Sequence, residues 1–318
     1  MSKAIQSPPH SMANYPLKVL AQLEKTHKFN KLPNLKNFPS AYKISITNNK
    51  LRIACTSDIF DHTTKLSDSC PLADVLIIAG NISRNSKWTD IVRFEKCLND
   101  LPIKYKILIP GSSDICFNLE NLTNEQIKQC ERDNIKKELT IRGLKHVSQY
   151  LKNVIYLQDM GVEIAGVKFY GSPWVSTNKN AAFFCPRNEI IKKWNYIPRG
   201  IDVLITCHGD ADYTEDHIGD VDLLGTVACR IGPSFHVFGY SREGQDFYLN
   251  NKSYFKHIIL LYVFIAFGMS FNGHTYFINA AMCTRSYNPS NDLIVFDVPM
   301  PANASKFRPN INYFTGLI

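Results

Sequence analysis

Apolar residues in this chain fall into short blocks that end on polar residues, and the spacing of those blocks changes along its length. Leu51–Cys55, Val75–Ala79, Ile107–Ile109, Val203–Thr206 and His236–Phe238 are compact apolar runs bounded by turn-forming residues, the mark of buried strands. Between the second and third runs, Asp90–Leu101 places Ile91, Phe94, Leu98 and Leu101 on one helical face. The charged stretch Asn124–Tyr150 reads as a helix in two pieces broken near Gly143. Strand and helix thus alternate, which predicts an α/β domain of layered elements. Further on, Val154–Leu157, Val162–Ile164 and Val167–Tyr170 read as short strands with tight turns, and Glu189–Trp194 as a short helix. Thr275–Ile278 and Leu293–Val298 close the sheet.

The flanks have a different texture. Residues 1–44 are rich in Pro, Asn and Lys and read as a mobile arm with one short helix around Leu17–Leu23; residues 301–318 read as an irregular tail. The domain itself is expected over 45–300. Tyr254–Phe267 contains the unbroken apolar run Ile258–Phe267, about half of the roughly 20 residues that cross a bilayer, so no membrane span is expected. A buried strand or helix is the simpler reading.

Composition narrows the class. With 318 residues, 45% apolar and 20% charged, the chain resembles a soluble globular protein with ample core. The net charge of +8 is spread widely, and no dense Lys/Arg run interleaves with aromatics, so nucleic acid is not an expected partner. Nine cysteines without a Cys-x-x-Cys pair, behind a polar N-terminus, predict free thiols and a cytoplasmic location. Cys55, Cys97 and Cys207 lie in apolar contexts and are expected in the core. Cys207 adjoins His208, but neighbouring strand residues point to opposite faces, which argues against a Cys–His nucleophile.

The candidate chemistry lies where strands end. The junctions read Thr56-Ser57-Asp58-Ile59-Phe60, Ala79-Gly80-Asn81, Pro110-Gly111-Ser112-Ser113-Asp114, Thr206-Cys207-His208-Gly209 and Phe238-Gly239-Tyr240-Ser241-Arg242. Carboxyl ends of strands are where open α/β sheets bind ligands. In this order, and with the collinear stretches Asn153–Asp159, Phe169–Trp174, Lys193–Pro198, His236–Gly239 and Tyr276–Ala280, the sequence resembles the calcineurin-like metallophosphoesterase family. It is most similar to the subgroup of metallophosphoesterase-domain-containing, cyclic-nucleotide phosphodiesterase-like proteins.

The resemblance covers roughly Leu51 to Pro299 and implies a two-sheet β-sandwich flanked by helices, with divalent metal (Mn, Mg, Fe or Zn) as cofactor. The family places Asp-x-His, Gly-Asp, Gly-Asn-His-Asp/Glu, a His, and Gly-His-x-His at these junctions. Here Asp58, Asn81 and His208 stand at metal positions, but Phe60 replaces a histidine and Asn81 the bridging carboxylate. Ser112 and Ser113 replace the Asn-His pair, leaving Asp114 as a candidate general acid, for which an exposed turn residue of ordinary acidity is the plainer reading. Tyr240 and Arg242 replace the last imidazoles. Two dications need bridging negative charge, and a guanidinium about 5 Å from one would repel it by about 7 kcal/mol at a dielectric near 20.

The resemblance therefore implies a phosphodiesterase scaffold with impaired catalysis and weak or absent metal binding. Ser112, Ser113, Tyr240 and Arg242 are suited to a phosphate or nucleotide ligand. The alternative is an active phosphodiesterase with an altered or single-metal site, for which a shifted loop would bring His62 to the metal position in place of its default as an exposed loop residue. Asp210 and Asp212 form an acidic cluster expected to be a solvated loop. His217, His257 and His274 share no spacing. In the family the last histidine motif leads directly to a Gly-x-x-x-x-Gly hairpin, which here is Gly268–Gly273; residues 246–267 are thus expected to be an insertion or a translated intron.

Overall fold

The computed structural model describes residues 47–120, 122–176, 179–208, 213–214, 217–218, 220–239, 267–307 and 310–316. The arm, all but Phe267 of the insertion, and Tyr240, Arg242, Asp210, Asp212 and His257 lie outside them, as does the side chain of His217. The strands in chain order are β1 (Lys50–Thr56), β2 (Val75–Ala79), β3 (Tyr105–Ile109), β4 (Ile155–Tyr156), β5 (Met160–Ile164), β6 (Val167–Ser172), β7 (Val203–His208), β8 (Tyr213–Thr214), β9 (His217–Ile218), β10 (Phe235–Gly239), β11 (Gly268–Phe271), β12 (Tyr276–Asn279), β13 (Ile294–Pro299) and β14 (Ile311–Thr315). Five form one sheet in the order β13-β1-β2-β3-β4, and seven form a second in the order β11-β12-β10-β7-β6-β5-β14. β1 to β4 run parallel, as do β6, β7, β10 and β12, so loops at their carboxyl ends gather at one end of the molecule.

The central parallel strands β2, β3, β7 and β10 are buried on both faces, which is why they are continuous apolar runs and not alternating ones. Between the sheets lie Ile53, Cys55, Ile77, Ile107, Phe169, Val203, Ile205, Cys207, Val237 and Ile278. The outer face of the first sheet (Ala54, Leu76, Ile78, Leu108) packs on the helix Trp88–Asp100 through Ile91, Phe94 and Leu98. The outer face of the second (Tyr170, Leu204, Phe238, Phe277) packs on Trp194, Ile191 and Leu223 from short helices. This is a two-sheet sandwich with helices on its outer faces.

Several stretches that carry the family resemblance are joined physically. The Asp159 carboxylate accepts bonds from Ser172 Oγ (2.7 Å) and Trp174 Nε1 (2.6 Å), and Lys193 Nζ sits 3.6 Å from the centre of the Trp174 ring. Trp194 Nε1 in turn donates to Asp220, the N-cap of the helix Val221–Gly225.

Two expectations need correcting. The helical stretch after Asn124 breaks at Cys130–Glu131, where Glu131 adopts a left-handed conformation (φ 52°), and not first at Gly143; the two helices are Asn124–Gln129 and Arg132–Ile141. The segment after Pro299 is not irregular throughout. It contains β14, which pairs antiparallel with β5 from Ile311 opposite Ile164 to Thr315 opposite Met160.

Candidate functional site

The loops after β1 and β2 lie side by side. Asp58 N–H donates to the Gly80 carbonyl, Phe60 N–H to Asn81 and Asp61 N–H to Ile82, at 3.0, 3.1 and 3.0 Å. To make these turns Asp58, Phe60, Asp61 and Asn81 take left-handed φ values of 53°, 43°, 73° and 56°. Asp and Asn tolerate that region, but a phenylalanine there costs on the order of 1–2 kcal/mol and persists only where surroundings fix it. Those surroundings are hydrophobic. The Phe60 ring is buried in the helix-side cluster and meets Tyr287 edge-on at 4.9 Å. Arg84 stacks its guanidinium on the other partner of that pair, 3.7 Å from the Tyr287 ring centre.

Asp58, Asn81, Ser112, Ser113 and Asp114 are brought together; all but Ser113 are buried, Asp58, Asn81 and Asp114 completely. Asn81 Nδ2 donates to Asp58 Oδ1 (2.7 Å), while its Oδ1 accepts from Ser113 N (2.9 Å), Ser113 Oγ (3.0 Å) and Ser112 Oγ (3.3 Å). Asp58 Oδ2 accepts from Ser57 Oγ (2.9 Å). His208, at the end of β7, lies opposite Gly239 of β10, and a Cβ on Gly239 would stand 2.7 Å from Asp58 Oδ2. That glycine is thus required by the close approach of β10 to Asp58, which also brings the β7 end to the same place. Cys207 faces the inter-sheet core, where its Sγ accepts from Ser112 N at 3.2 Å. Thr206 Oγ1 donates to the His208 carbonyl at 2.6 Å and so must accept from His236 Nε2, 2.8 Å away.

Asp114 departs from the plain expectation of an exposed turn residue. It has no solvent exposure, and its two oxygens accept four backbone N–H bonds: Asn81 and Gly111 on Oδ2 at 2.8 and 2.7 Å, Ile82 and Ser83 on Oδ1 at 3.0 and 3.3 Å. Burial pushes its carboxyl up to about 7, with those four bonds pulling the other way. The reason for its burial is that the β2 and β3 loops would otherwise leave these N–H groups unpaired in the interior. His62 is likewise not an exposed loop residue. It is half-buried, and its Nε2 lies 2.9 Å from the Tyr287 carbonyl.

Sequence reasoning passed over several residues that shape the site. Ser57 holds Asp58, and Ser86 Oγ donates to the Ser113 carbonyl (2.8 Å). Gly111 would, with a Cβ, meet Asn81 Oδ1 at 2.4 Å. A glycine at a strand end is a readable hint of close approach; a serine 27 residues from its partner gives none. Among the described residues, no group of three or more His, Cys, Asp and Glu side chains converges as a metal site, and no helix is long and apolar enough to cross a membrane.

A two-sheet sandwich with strand-end loops meeting at Asp58, Asn81 and His208 defines a class, and sequence relatives bear it out: the chain belongs to the metallophosphoesterase-domain family. It is 33% identical over 261 residues to metallophosphoesterase domain-containing protein 1 of Homo sapiens, covering 80% of this chain and 72% of that one. The UPF0046 protein C25E10.12 of Caenorhabditis elegans is 31% identical over 278 residues, covering 84% and 88%. No family model matches the chain. Among solved structures, TT1561 of Thermus thermophilus aligns with a TM-score of 0.43 at 11% identity, covering 79% of this chain and 99% of that one. The assignment stands on the sequence relatives alone.

Proposed function

We propose that this chain keeps the metallophosphoesterase scaffold without its two-metal hydrolysis, and serves as a nucleotide- or phosphate-binding or interaction module. The observation that carries this reading is Phe60. Where the family resemblance calls for an imidazole, the chain puts a phenyl ring that offers no lone pair and packs into the helix-side cluster against Tyr287. The His62 substitute is engaged elsewhere, on the Tyr287 carbonyl. The donor set around Asp58 also fits a pair of divalent ions poorly. Asn81 presents an N–H, not a lone pair, to Asp58, and two ions need bridging negative charge to offset their repulsion. Asp114, with both oxygens saturated by backbone N–H groups, acts in this reading as a positioning residue for the loops and not as a proton donor.

Calorimetric titration with Mn²⁺ and turnover of bis(p-nitrophenyl) phosphate test the loss of hydrolysis. The expected outcome is neither stoichiometric binding nor turnover. Stoichiometric Mn²⁺ binding with turnover that disappears in Asp58→Ala would instead establish an active enzyme with an altered site. The ligand half of the proposal is read by thermal melts with millimolar AMP, GMP and phosphate. A ligand at 100 times its Kd stabilises by about 2.7 kcal/mol, so a binder raises Tm. Indifference to all three leaves the interaction module.

A further inference from the structure

We propose that Arg84 is the phosphate-reading residue of this site: its guanidinium, stacked on Tyr287 at the rim, meets the oxygens of a phosphate monoester edge-on. This rests on the reading above that the chain takes a phosphate or nucleotide, and names the side chain that recognises it.

The two serines of the β3 loop have already committed their donors to the protein. Ser112 N–H goes to Cys207 Sγ at 3.2 Å and its hydroxyl to Asn81 Oδ1 at 3.3 Å. Ser113 N–H goes to the same Asn81 oxygen at 2.9 Å, and its hydroxyl lies 3.0 Å from that oxygen and 2.9 Å from the Ser83 carbonyl. An anion that reaches this loop must therefore find its donors beside it. Ser83, which holds the Ser113 hydroxyl, is followed directly by Arg84, an exposed residue whose backbone N–H donates to Asp61 Oδ2 at 3.2 Å. The same segment closes on Ser113 from its far end, where Ser86 Oγ donates to the Ser113 carbonyl at 2.8 Å. Arg84 is thus anchored at the edge of the loop.

The guanidinium is seated by an aromatic stack. Its central carbon lies 3.7 Å from the centre of the Tyr287 ring, which meets the Phe60 ring edge-on at 4.9 Å. Tyr287 is itself pinned: its N–H donates to the Thr284 carbonyl at 2.9 Å, and its own carbonyl lies 2.9 Å from His62 Nε2. Both aromatic residues hold left-handed backbone, Tyr287 at φ 61° and Phe60 at φ 43°. Bulky side chains rarely adopt that conformation, and strain of this kind gathers where a chain positions a functional group. A glycine at 287 would relieve the turn; what the tyrosine adds is a face for Arg84. A guanidinium stacked by its face keeps its N–H groups in the plane of its edge, a fixed fork that matches two phosphate oxygens. Because the stack already restrains this long side chain, little of its freedom is left to lose on binding.

The test is calorimetric titration of the full chain with AMP and with adenosine, as wild type, R84A, R84K and K192A. Wild type is expected to bind AMP at least about tenfold more tightly than adenosine, and R84A to lose that advantage while binding adenosine as wild type does. R84K, which keeps the charge without the planar fork, is expected to melt with wild type and to keep less than about a third of the advantage. K192A removes an exposed lysine, beside Glu189, from the helix on the outer face of the other sheet, and is expected to bind as wild type. Inorganic phosphate that raises the melting temperature of wild type and not of R84A supports the same contact with phosphate alone as the ligand. An AMP advantage that R84A keeps, or that K192A loses equally, overturns the inference and leaves the ligand reading standing. A wild type that binds neither AMP nor phosphate overturns both.

Discussion

At the scale of single residues, Asp114 shows how a side chain that resembles a catalytic acid comes to serve the backbone. The loops after β2 and β3 turn back on each other inside the protein, and the four N–H groups that donate to Asp114 there belong to buried residues. A carboxylate is the one side chain with enough lone pairs to take all four. Its carboxyl lies at 3.8 in the unfolded chain and is pushed up to about 7 on folding, by burial. A group whose folded value is raised contributes its stability fully below about pH 4 and loses it as pH rises through about 7. The urea midpoint of the wild type should therefore fall between pH 5 and pH 8 by more than that of Asp114→Asn, in which this group no longer titrates. The variant should also be less stable by about 1–3 kcal/mol at low pH, because its NH₂ faces backbone donors that then have no acceptor. Equal pH dependence in the two proteins would refute the assignment.

At the scale of elements, pattern and packing agree where a segment has one face to bury. The helix Trp88–Asp100 buries Ile91, Phe94 and Leu98 of the stripe that its spacing predicts, with Trp88 and Cys97 beside them and Leu101 just past its end, and its first turn is closed by Asp90, whose carboxylate accepts from Lys87 N–H and Ser83 Oγ. β14 is the opposite case. Its residues are mostly exposed, with Tyr313 at 58% and Ile311 at 41%, so no apolar alternation announces it. What holds it is the ladder to β5 and one side chain, Phe314, packed against the cluster around Tyr170. Phe314→Ala should cost about 1–3 kcal/mol in urea denaturation, whereas Tyr313→Lys should stay within about 0.5 kcal/mol of wild type. A large loss in the second, or none in the first, would show that the strand is held otherwise.

At the scale of the molecule, the two sheets are tied to each other at both ends. At the site end, Ser57 N–H donates to Ala280 and Met282 N–H to Ser57, so the chain leaving β12 of one sheet runs onto β1 of the other. At the opposite end, Lys306 in the tail reaches Asp74 at 3.0 Å, beside the Arg52–Asp297 pair at 2.9 Å, on the way from β13 to β14. A sandwich closed in this way shields its thiols. Of the nine free cysteines, Cys229 is exposed, Cys70 half-buried and the other seven buried, and burial raises the thiol pKa of Cys55, Cys116 and Cys207 well above the ordinary value. With a thiol reagent such as DTNB, about one cysteine should react at once in the native protein, and the seven should follow the unfolding rate. Fast reaction of several thiols would mean that the two sheets open locally.

The sequence by itself determined what depends on neighbours along the chain: buried strands, the amphipathic helix, the order of the strand-end loops and the phenylalanine that follows Asp58 at the end of β1. Those properties are local or compositional, so one dimension carries them. Only the tertiary structure decided that Asp114 is a clamp, that His62 belongs to Tyr287, that β14 completes a sheet, and that the Asn81 amide points its nitrogen at Asp58. Each of these depends on a partner from a distant part of the chain, and a hydrogen bond is chosen by distance and direction, which spacing in sequence does not record.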